Sequence, residues 1–465
     1  MAVAPRTIPD LALLVAGLSS PFEDEISARA AGAALDDPNV QDTLRDLYPR
    51  LVRKKTITHA LSHLERAGAD LDAITIPESL FASAYPLNRI MAPPAATRSG
   101  EISLASIGRS LARHQELIER VIVELAGAGS DRLILAKGQA YRARYPGYHR
   151  YSSDLDVFVP SWDDAISVLR LLCRQMGFAL HGCKVGAVAV LKSFRRTAGH
   201  ELNVGLYAGG FPTPLLSLPF RLGVADPSRA GAVEVGGARV LACSVEDLLL
   251  SSALRPLLDR EVAGRALNDA RYLLRSDGMN LDWDYVVATA ARNELQAFLL
   301  GLVRSAERTD GRELVPPEAI LRLGSEAKPL GTRSWLIRYA RASLGPVRGP
   351  RFVILDRLQV RLFRAEIGLR RRGGAGRTAA ASIMALLRPR FRAVCELRSE
   401  PAPAELGYCL SRLRRGRRAG QAEALVGFLP DRGQESLLRK RTTVGDVHAQ
   451  PHRCEAFLVS RARPR

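Results

Sequence analysis

The 465-residue chain lacks the features that would place it in a membrane or in an oxidising compartment. No uninterrupted apolar run approaches the ~18 residues that a spanning helix needs. None of the six cysteines forms a Cys-x-x-Cys pair, and a reducing compartment is their simplest environment. Because Pro5, Pro9 and Asp10 interrupt the first apolar stretch, we expect no secretory signal and a cytoplasmic protein.

Three common catalytic motifs are also missing. No Gly-x-Ser-x-Gly nucleophile elbow occurs. His200 and Glu201 begin like a zinc-protease helix, but Val204 stands where the second histidine belongs. The Gly-Arg-Thr segment at 376–378 lacks the lysine and the first glycine of a phosphate-binding loop. The chemistry of this chain therefore has to come from another pattern.

Positive charge is concentrated at the C-terminal end. Residues 346–465 contain 26 Lys and Arg against 10 Asp and Glu, a net charge of +16 out of +19 for the whole chain. Such a region attracts nucleic acid phosphates or anionic lipid headgroups. A GC-rich gene is the competing explanation, because 25 of these 26 cations are arginine. Segment 352–369 can be drawn as an amphipathic helix, either on an anionic surface or packed on the body.

Helix-like and strand-like patterns divide the chain into four predicted regions. Residues 1–100 carry apolar residues at helical spacing and end in a Pro-containing break. Residues 101–243 begin with a long helix over 102–127 and then change to short apolar runs. Helical patterns return over 244–345, and the basic region of 346–465 follows.

The short apolar runs of the second region predict a sheet. Strands are expected at 132–136, 155–159, 187–194 and 201–207, with a hairpin over 232–241. Ser161 and Asp164 form a capping box that begins a helix over 161–177. This mixture of strands and helices predicts an α/β or α+β unit.

Two acidic residues stand at the start of a predicted strand. Asp154 and Asp156 are two residues apart, so their carboxylates project from one face while Leu155 points into the core. Two carboxylates on one face repel each other unless a cation lies between them. Mg²⁺ prefers oxygen ligands and leaves positions open for substrate phosphates. The spacing therefore indicates a magnesium site, and because a partly exposed acid pair destabilises the fold, neutralising either acid should leave the fold intact.

A basic cluster precedes the acids. Lys137 and Gly138 end a predicted buried strand and begin a helix-like stretch. Glycine lets the backbone approach a ligand, a helix N-terminus attracts phosphate, and lysine can meet a triphosphate as a point charge. Arg150, four residues before Asp154, could make a second, bidentate phosphate contact.

These motifs occur in an order that resembles the uncharacterised nucleotidyltransferase family of the DNA polymerase beta superfamily. The resemblance covers roughly residues 102–330 and includes Leu135-Ala-Lys-Gly138, Tyr145-Pro146, Arg150, Ser153-Asp-Leu-Asp156, Gly177-Phe178, and the segments 240–249, 267–274 and 281–283. It implies an α+β fold, in which a small mixed-sheet nucleotidyltransferase core is flanked by N- and C-terminal helical regions. Asp269 is expected in a buried salt bridge and Trp283 in the core.

The resemblance also implies a third carboxylate on a later strand. The family usually has an acid, an apolar residue and a histidine there, and this chain has Glu201, Leu202 and Asn203. One alignment makes Glu201 the third acid, and a shift by two residues puts Asn203 in its place. Both alignments use the same strand face, so periodicity does not decide between them. Glu201 is preferred, because an uncharged amide binds metal poorly and cannot accept a proton.

Two functions follow from this reading. In the first, the chain moves a nucleoside monophosphate from an NTP to an unknown hydroxyl or phosphate acceptor and releases pyrophosphate. Asp154, Asp156 and Glu201 would hold Mg²⁺, and Lys137, Gly138 and Arg150 would hold the triphosphate. In the second, the chain is a catalytically weak or inactive nucleotide-binding module, attached through its basic tail to nucleic acid or an anionic membrane.

Overall fold

The computed structural model has an α+β fold, as the sequence predicted. It describes residues 14–15, 17–22, 24–37, 40–53, 56–83, 96, 99–128, 132–148, 150–185, 188–211, 220–258, 263–325, 352–353 and 394–395. Within these ranges there are twelve α-helices and one mixed sheet of seven strands. None of the helices in the described ranges is both long and apolar enough to cross a lipid bilayer.

The N-terminal part is helical, with a short strand pair. Its helices are α1 (Glu25–Leu35), α2 (Val40–Arg53), α3 (Ile57–Arg66) and α4 (Glu78–Ser83), and β1 (Thr75–Pro77) pairs antiparallel with β2 (Glu101–Ser103). Asp24 and Ser27 cap α1 reciprocally, which satisfies backbone donors that a helix start leaves free. The helix predicted over 102–127 is α5 (Leu104–Gly127). The first two residues of the predicted range, Ile102 and Ser103, belong to β2, and Ser103 is also the N-cap of α5.

The central sheet has the strand order β5-β6-β7-β4-β3-β9-β8. The strands are β3 (Ile134–Leu135), β4 (Leu155–Val159), β5 (Ala179–Val185), β6 (Ala189–Thr197), β7 (His200–Ala208), β8 (Gly231–Val235) and β9 (Ala238–Ala242). The pairs β4–β7 and β3–β9 are parallel, and the other neighbours are antiparallel. Helix α6 (Lys137–Arg144) follows β3, and α7 (Trp162–Arg174) follows β4. The sheet is therefore mixed, and β4 lies at its centre.

A second set of helices follows the sheet. They are α8 (Val245–Leu258), α9 (Ala263–Asp277), α10 (Trp283–Asn293), α11 (Gln296–Asp310) and α12 (Pro317–Ser325). Ser244 caps α8 by accepting a hydrogen bond from the backbone N–H of Asp247. The predicted core position of Trp283 is confirmed, since its ring is buried with the sheet and these helices.

Two apolar cores meet along α5. Leu104, Ile107 and Leu111 in its first half pack with the N-terminal helices. Leu117 and Val121 in its second half pack with the sheet and helices α7 to α12. One continuous helix thus belongs to both cores and fixes the N-terminal helices against the sheet.

Little of the basic C-terminal region lies within the described residues. Phe352–Val353 and Val394–Cys395 form a two-stranded antiparallel pair. The helix predicted over 352–369 is therefore wrong at its first two residues, and the rest of that segment lies outside the described residues.

Candidate active site

The acidic motif lies at the start of β4, beside the middle of the parallel strand β7. Asp154 directly precedes β4, and Asp156 is the second residue of that strand. The parallel register pairs Leu155 with Val204 and Asp156 with Gly205 of β7. On the other side of β4, the short strand β3 runs antiparallel and leads directly into α6 at Lys137. The sheet therefore brings the lysine and the acids to one place.

Asp156 is buried in a three-residue polar cluster. The Lys137 ammonium lies 3.0 Å from Oδ2 of Asp156, and the Tyr207 hydroxyl donates to Oδ1 at 2.6 Å. Lys137 also donates to the Tyr207 hydroxyl at 3.1 Å and lies 4.5 Å from the centre of its ring. Burial, and then the Asp156 charge, keep the pKa of Tyr207 well above its usual value, so this hydroxyl stays protonated.

Tyr207 is a site residue that the sequence analysis missed. It lies on the face of β7 that also carries Glu201, Asn203 and Gly205, because strand side chains alternate. Gly205 leaves space for it: a Cβ there would lie 2.9 Å from Oδ1 of Asp156 and 3.1 Å from the Tyr207 hydroxyl. The two-residue alternation that puts Glu201 and Asn203 on one strand face also reaches Tyr207. This residue could therefore have been predicted from the sequence.

Lys137 and Gly138 have different structural roles. Lys137 adopts a φ of +49°, in the left-handed region that is costly for a residue with a side chain. A Cβ at Gly138 would overlap the Ser152 hydroxyl and Nη1 of Arg150. The glycine thus allows α6 to pack closely against the segment before β4. From the sequence, a close approach of the backbone to a ligand was expected at this position.

Arg150 has a different environment from the one expected of a phosphate ligand. Its side chain is 2% exposed, and Nε and Nη2 donate to the two carboxylate oxygens of Asp269 at 2.6 and 2.9 Å. Tyr148 donates to the same carboxylate at 2.8 Å. The salt bridge predicted for Asp269 is thus confirmed, and the bidentate fork of Arg150 is occupied by this carboxylate.

The pKa values of the pair agree with a stable ion pair. Burial by itself would lower the pKa of Arg150, but the Asp269 carboxylate outweighs burial and raises it. Burial would raise the pKa of Asp269, but the charges of Arg150 and Arg265 outweigh burial and lower it. Both residues are therefore charged at neutral pH.

Asp154 is the more accessible of the two acids. Its side chain is half-buried, and the Ser153 hydroxyl donates to its Oδ1 at 3.3 Å. Its charge also acts on Tyr151, whose phenol has a pKa well above the usual value because of burial and then of Asp154. Asp154 thus offers a carboxylate to solvent beside a buried aromatic residue.

The two candidates for the third acidic position lie in the first half of β7. The register places Asn203 opposite Asp154, one position before the Leu155–Val204 pair, and Glu201 lies two residues before Asn203. Glu201 accepts a hydrogen bond from Asn203 Nδ2 at 3.2 Å, and Nη2 of Arg196 lies 3.6 Å from its other oxygen. The role of either residue stays a prediction.

The donor set fits one magnesium ion shared with substrate better than a closed metal site. Among the described residues, no three His, Cys, Asp or Glu side chains are grouped as metal ligands. Mg²⁺ is commonly held by one or two carboxylates together with water and substrate phosphates, and Asp154 and Asp156 offer such a pair. Asp156 could serve only if Lys137 left its carboxylate, since both its oxygens have partners.

A cavity of about 770 Å³ lies beside this site, between α3 and α5. Tyr151, Gln115 and Arg142 line it on the side of the sheet. Lys137, Asp154 and Asp156 do not line it. The acid pair therefore lies outside this cavity, although Tyr151, three residues before Asp154, lines it.

Comparison with known proteins gives one match. Residues 102–309 match the model of the family described as Uncharacterised nucleotidyltransferase, which confirms the resemblance inferred from the motifs over that segment. The matched segment contains the whole seven-stranded sheet, helices α8 to α10 and all but the last residue of α11. No curated protein and no solved structure is significantly similar to the chain.

Proposed function

From the nucleotidyltransferase family match over residues 102–309, we propose that this chain transfers a nucleoside monophosphate from an NTP to a hydroxyl or phosphate acceptor. The observation that carries the proposal is the 3.0 Å contact between Lys137 and Asp156. It brings the Lys-Gly motif and the Asp-x-Asp motif, which are 19 residues apart in the chain, into direct contact. A triphosphate with its metal could therefore reach both motifs at once.

The proposed reaction is a displacement at the α-phosphorus. The acceptor oxygen forms a bond to this phosphorus, the bond to the oxygen that bridges to the β-phosphate breaks, and pyrophosphate leaves with that electron pair. The acceptor proton passes to a base, for which Glu201 is the candidate. Magnesium, held by Asp154 and Asp156, would supply charge neutralisation on the phosphates.

The chain's own residues would act mainly by positioning and charge. Lys137 would exchange its contact with Asp156 for a phosphate oxygen when substrate binds. Its left-handed backbone and its packing on Tyr207 and Phe211 hold the ammonium at the strand end before substrate arrives. Gly138 would contribute the tight packing of α6 that keeps Lys137 there.

Transfer of label tests the proposal directly. The full chain is incubated with each α-labelled NTP, Mg²⁺ and a cell extract, and the label is followed into protein, RNA and small molecules. We expect one labelled acceptor and free pyrophosphate. Asp154→Asn should abolish transfer, whereas Asp163→Asn, the same charge change at an exposed position of α7, should retain it. Equal transfer by both variants would contradict the proposed site.

The occupied carboxylate of Asp156 favours a second candidate function. If Lys137 and Tyr207 hold Asp156 permanently, the chain would bind nucleotide without turning it over. Tight binding of NTP with Mg²⁺, with no transfer and no pyrophosphate release, would support this binding module. Contact with nucleic acid or an anionic membrane would then depend on 346–465, nearly all of which lies outside the described residues.

A further inference from the structure

Three buried hydrogen-bond donors near the acid pair have no acceptor within the described part of the chain. They are Nη1 of Arg150, the hydroxyl of Tyr151 and Nε of Arg265. Buried polar groups are normally paired, and each exception needs an explanation. All three groups can donate, and the two guanidinium groups carry positive charge. A partner that suits all three would supply acceptor oxygens and negative charge.

Of these three residues, Arg265 most clearly lacks a partner among the described residues. It lies in the first turn of α9, is 7% exposed, and forms no ion pair with any described carboxylate. Asp269, one turn further along the same helix, is already occupied by Arg150 and Tyr148. A buried charge without a close partner costs several kcal/mol, and burial disfavours the Arg265 charge more than Asp269 and Asp154 favour it.

Positively charged side chains outnumber buried carboxylates around Arg265. Burial, followed by the charges of Arg150 and Arg255, lowers the pKa of Arg265 to about 9, and Asp269 and Asp154 oppose this shift. Arg265 therefore remains charged at neutral pH. Arg255, half-buried on α8, also has no ion pair with a described carboxylate. Three arginines thus surround one buried carboxylate, Asp269.

The same residues border the candidate active site. Arg265 lies one helical turn before Asp269, which binds Arg150, and Tyr151 follows Arg150 directly in the chain. Nη1 of Arg150 lies against the Cα of Gly138, next to Lys137. The unpaired donors therefore lie between the Lys-Gly turn, the acid pair and the start of α9.

We propose that Arg265, together with Nη1 of Arg150 and the Tyr151 hydroxyl, binds the β- and γ-phosphates of the NTP and then the pyrophosphate that leaves. This rests on the proposed function, and it names the substrate moiety that the helical region would hold. A polyphosphate fits because it offers several charged acceptors to two guanidinium groups, which bind phosphate through paired N–H donors. Lys137 would contact the same chain of phosphates from the side of the acid pair.

Binding of inorganic tripolyphosphate without metal tests the subsite apart from catalysis. Its affinity is measured by calorimetry in EDTA for the full-length wild type, Arg265→Met and Arg304→Met. Arg304 is exposed on α11, so its replacement removes the same charge without touching the site. We expect Arg265→Met to weaken binding at least tenfold and Arg304→Met to change it less than twofold. Equal weakening by both would mean a general effect of charge and would overturn the subsite.

Stability distinguishes a ligand-binding arginine from a structural one. Without ligand, Arg265→Met should melt at the same temperature as the wild type or higher, since it removes a charge that burial disfavours more than Asp269 and Asp154 favour it. A large fall in melting temperature together with unchanged tripolyphosphate affinity would show that Arg265 only supports the fold.

Tyr151→Phe gives a second test, because it removes only an unpartnered hydroxyl. It should weaken binding by about tenfold, the value of a hydrogen bond to a charged group, and leave the melting temperature unchanged.

These experiments distinguish failure of the phosphate subsite from failure of the proposed transfer reaction. Asp154→Asn should bind tripolyphosphate in EDTA at least as tightly as the wild type, because a negative charge near the subsite is removed. If tripolyphosphate binds through Arg265 and no NTP is ever consumed, the subsite stands and the transfer reaction falls. If label is transferred and Arg265→Met changes neither affinity nor the KM for NTP, the reaction stands and the subsite falls.

Discussion

Asp154 and Asp156 are neighbours in one motif, but their environments differ. Asp154 is half-buried with a hydroxyl donor, whereas Asp156 is 5% exposed and bound on both oxygens by Lys137 and Tyr207. From the sequence, neutralising either acid was expected to leave the fold intact. The structure limits this expectation to Asp154, because removal of the Asp156 charge would leave the Lys137 ammonium without its carboxylate.

The two asparagine variants should therefore separate function from stability. Both Asp154→Asn and Asp156→Asn should lose Mg²⁺-dependent transfer. Asp154→Asn should change the free energy of unfolding little, while Asp156→Asn should lower it by about 1–3 kcal/mol, less than a fully buried pair because Lys137 is partly exposed. Urea denaturation measures this difference. Lys137→Met combined with Asp156→Asn should recover part of the loss, and a strictly additive double variant would contradict the coupling.

Glu201 and Asn203 are distinguished by three point variants. If Glu201 is the third acid, Glu201→Gln should reduce kcat at least about a hundredfold, as loss of a metal ligand or base does, and Asn203→Ala should cost much less. If Asn203 occupies that position, which the register places opposite Asp154, Glu201→Gln should be nearly silent and Asn203→Asp could raise the rate. Steady-state kinetics on the labelled acceptor decide between these opposite rankings.

At the scale of the elements, packing at the start of α6 depends on Gly138. A Cβ there would overlap the Ser152 hydroxyl and the Arg150 guanidinium, which is fixed by Asp269. We expect Gly138→Ala to destabilise the fold by about 1–3 kcal/mol, the usual cost of overpacking. Gly127→Ala is the matched control, because a Cβ at that position of α5 meets nothing within 4 Å. Thermal denaturation of the two variants should show a loss for Gly138→Ala alone.

The ion pair between α9 and the segment before β4 should give a pH signature. The pKa of Asp269 is lowered in the folded state, so its contribution is present above the unfolded value of about 4 and is lost as pH falls through the lower folded value. Asp269→Asn should reduce the free energy of unfolding by about 3–5 kcal/mol at pH 7, because Arg150 is left buried and unpaired. The difference from wild type should shrink below about pH 4. A difference that is the same at pH 7 and pH 3 would contradict this role.

The elements with local signals were predictable from the sequence. The strand β4 has the bounds expected for it, and α7 has its expected capping box, because apolar runs and caps act within a few residues. The edge strand β5 was missed, since its sequence alternates weakly and its pairing with β6 contains an irregular register near Leu180 and Gly182.

The partner of Arg150 could not be deduced from the motif alone, because Asp269 lies 119 residues away in the chain. Long-range polar contacts of this kind determine which N–H groups of an arginine are already paired within the fold.

At the scale of the whole molecule, the two cores and the site lie before residue 326, while most of the excess charge lies after 345. Both buried clusters end by Leu323, and residues 346–465 carry +16 of the net charge of +19. Asn268 of α9 donates to the Ser19 carbonyl at 2.6 Å, so the N-terminal helices and the helices after the sheet also contact each other directly. The described parts of residues 14–325 are therefore in contact from the first to the last, and the basic region follows them in the chain.

This division predicts that a chain of residues 1–345 separates nucleotide binding from polyanion binding. It should keep the tripolyphosphate affinity of the full chain, because Lys137, Arg150 and Arg265 and both cores are retained. It should lose binding to a single-stranded RNA oligomer, and the full chain's binding to that RNA should weaken steeply with salt, since each phosphate contact releases counterions. Fluorescence anisotropy from 50 to 300 mM salt measures the slope, and vesicles with anionic headgroups provide the parallel arm. If the shortened chain bound RNA with the same slope, the polyanion surface would lie on the folded body, and the charge after residue 345 would have no part in it.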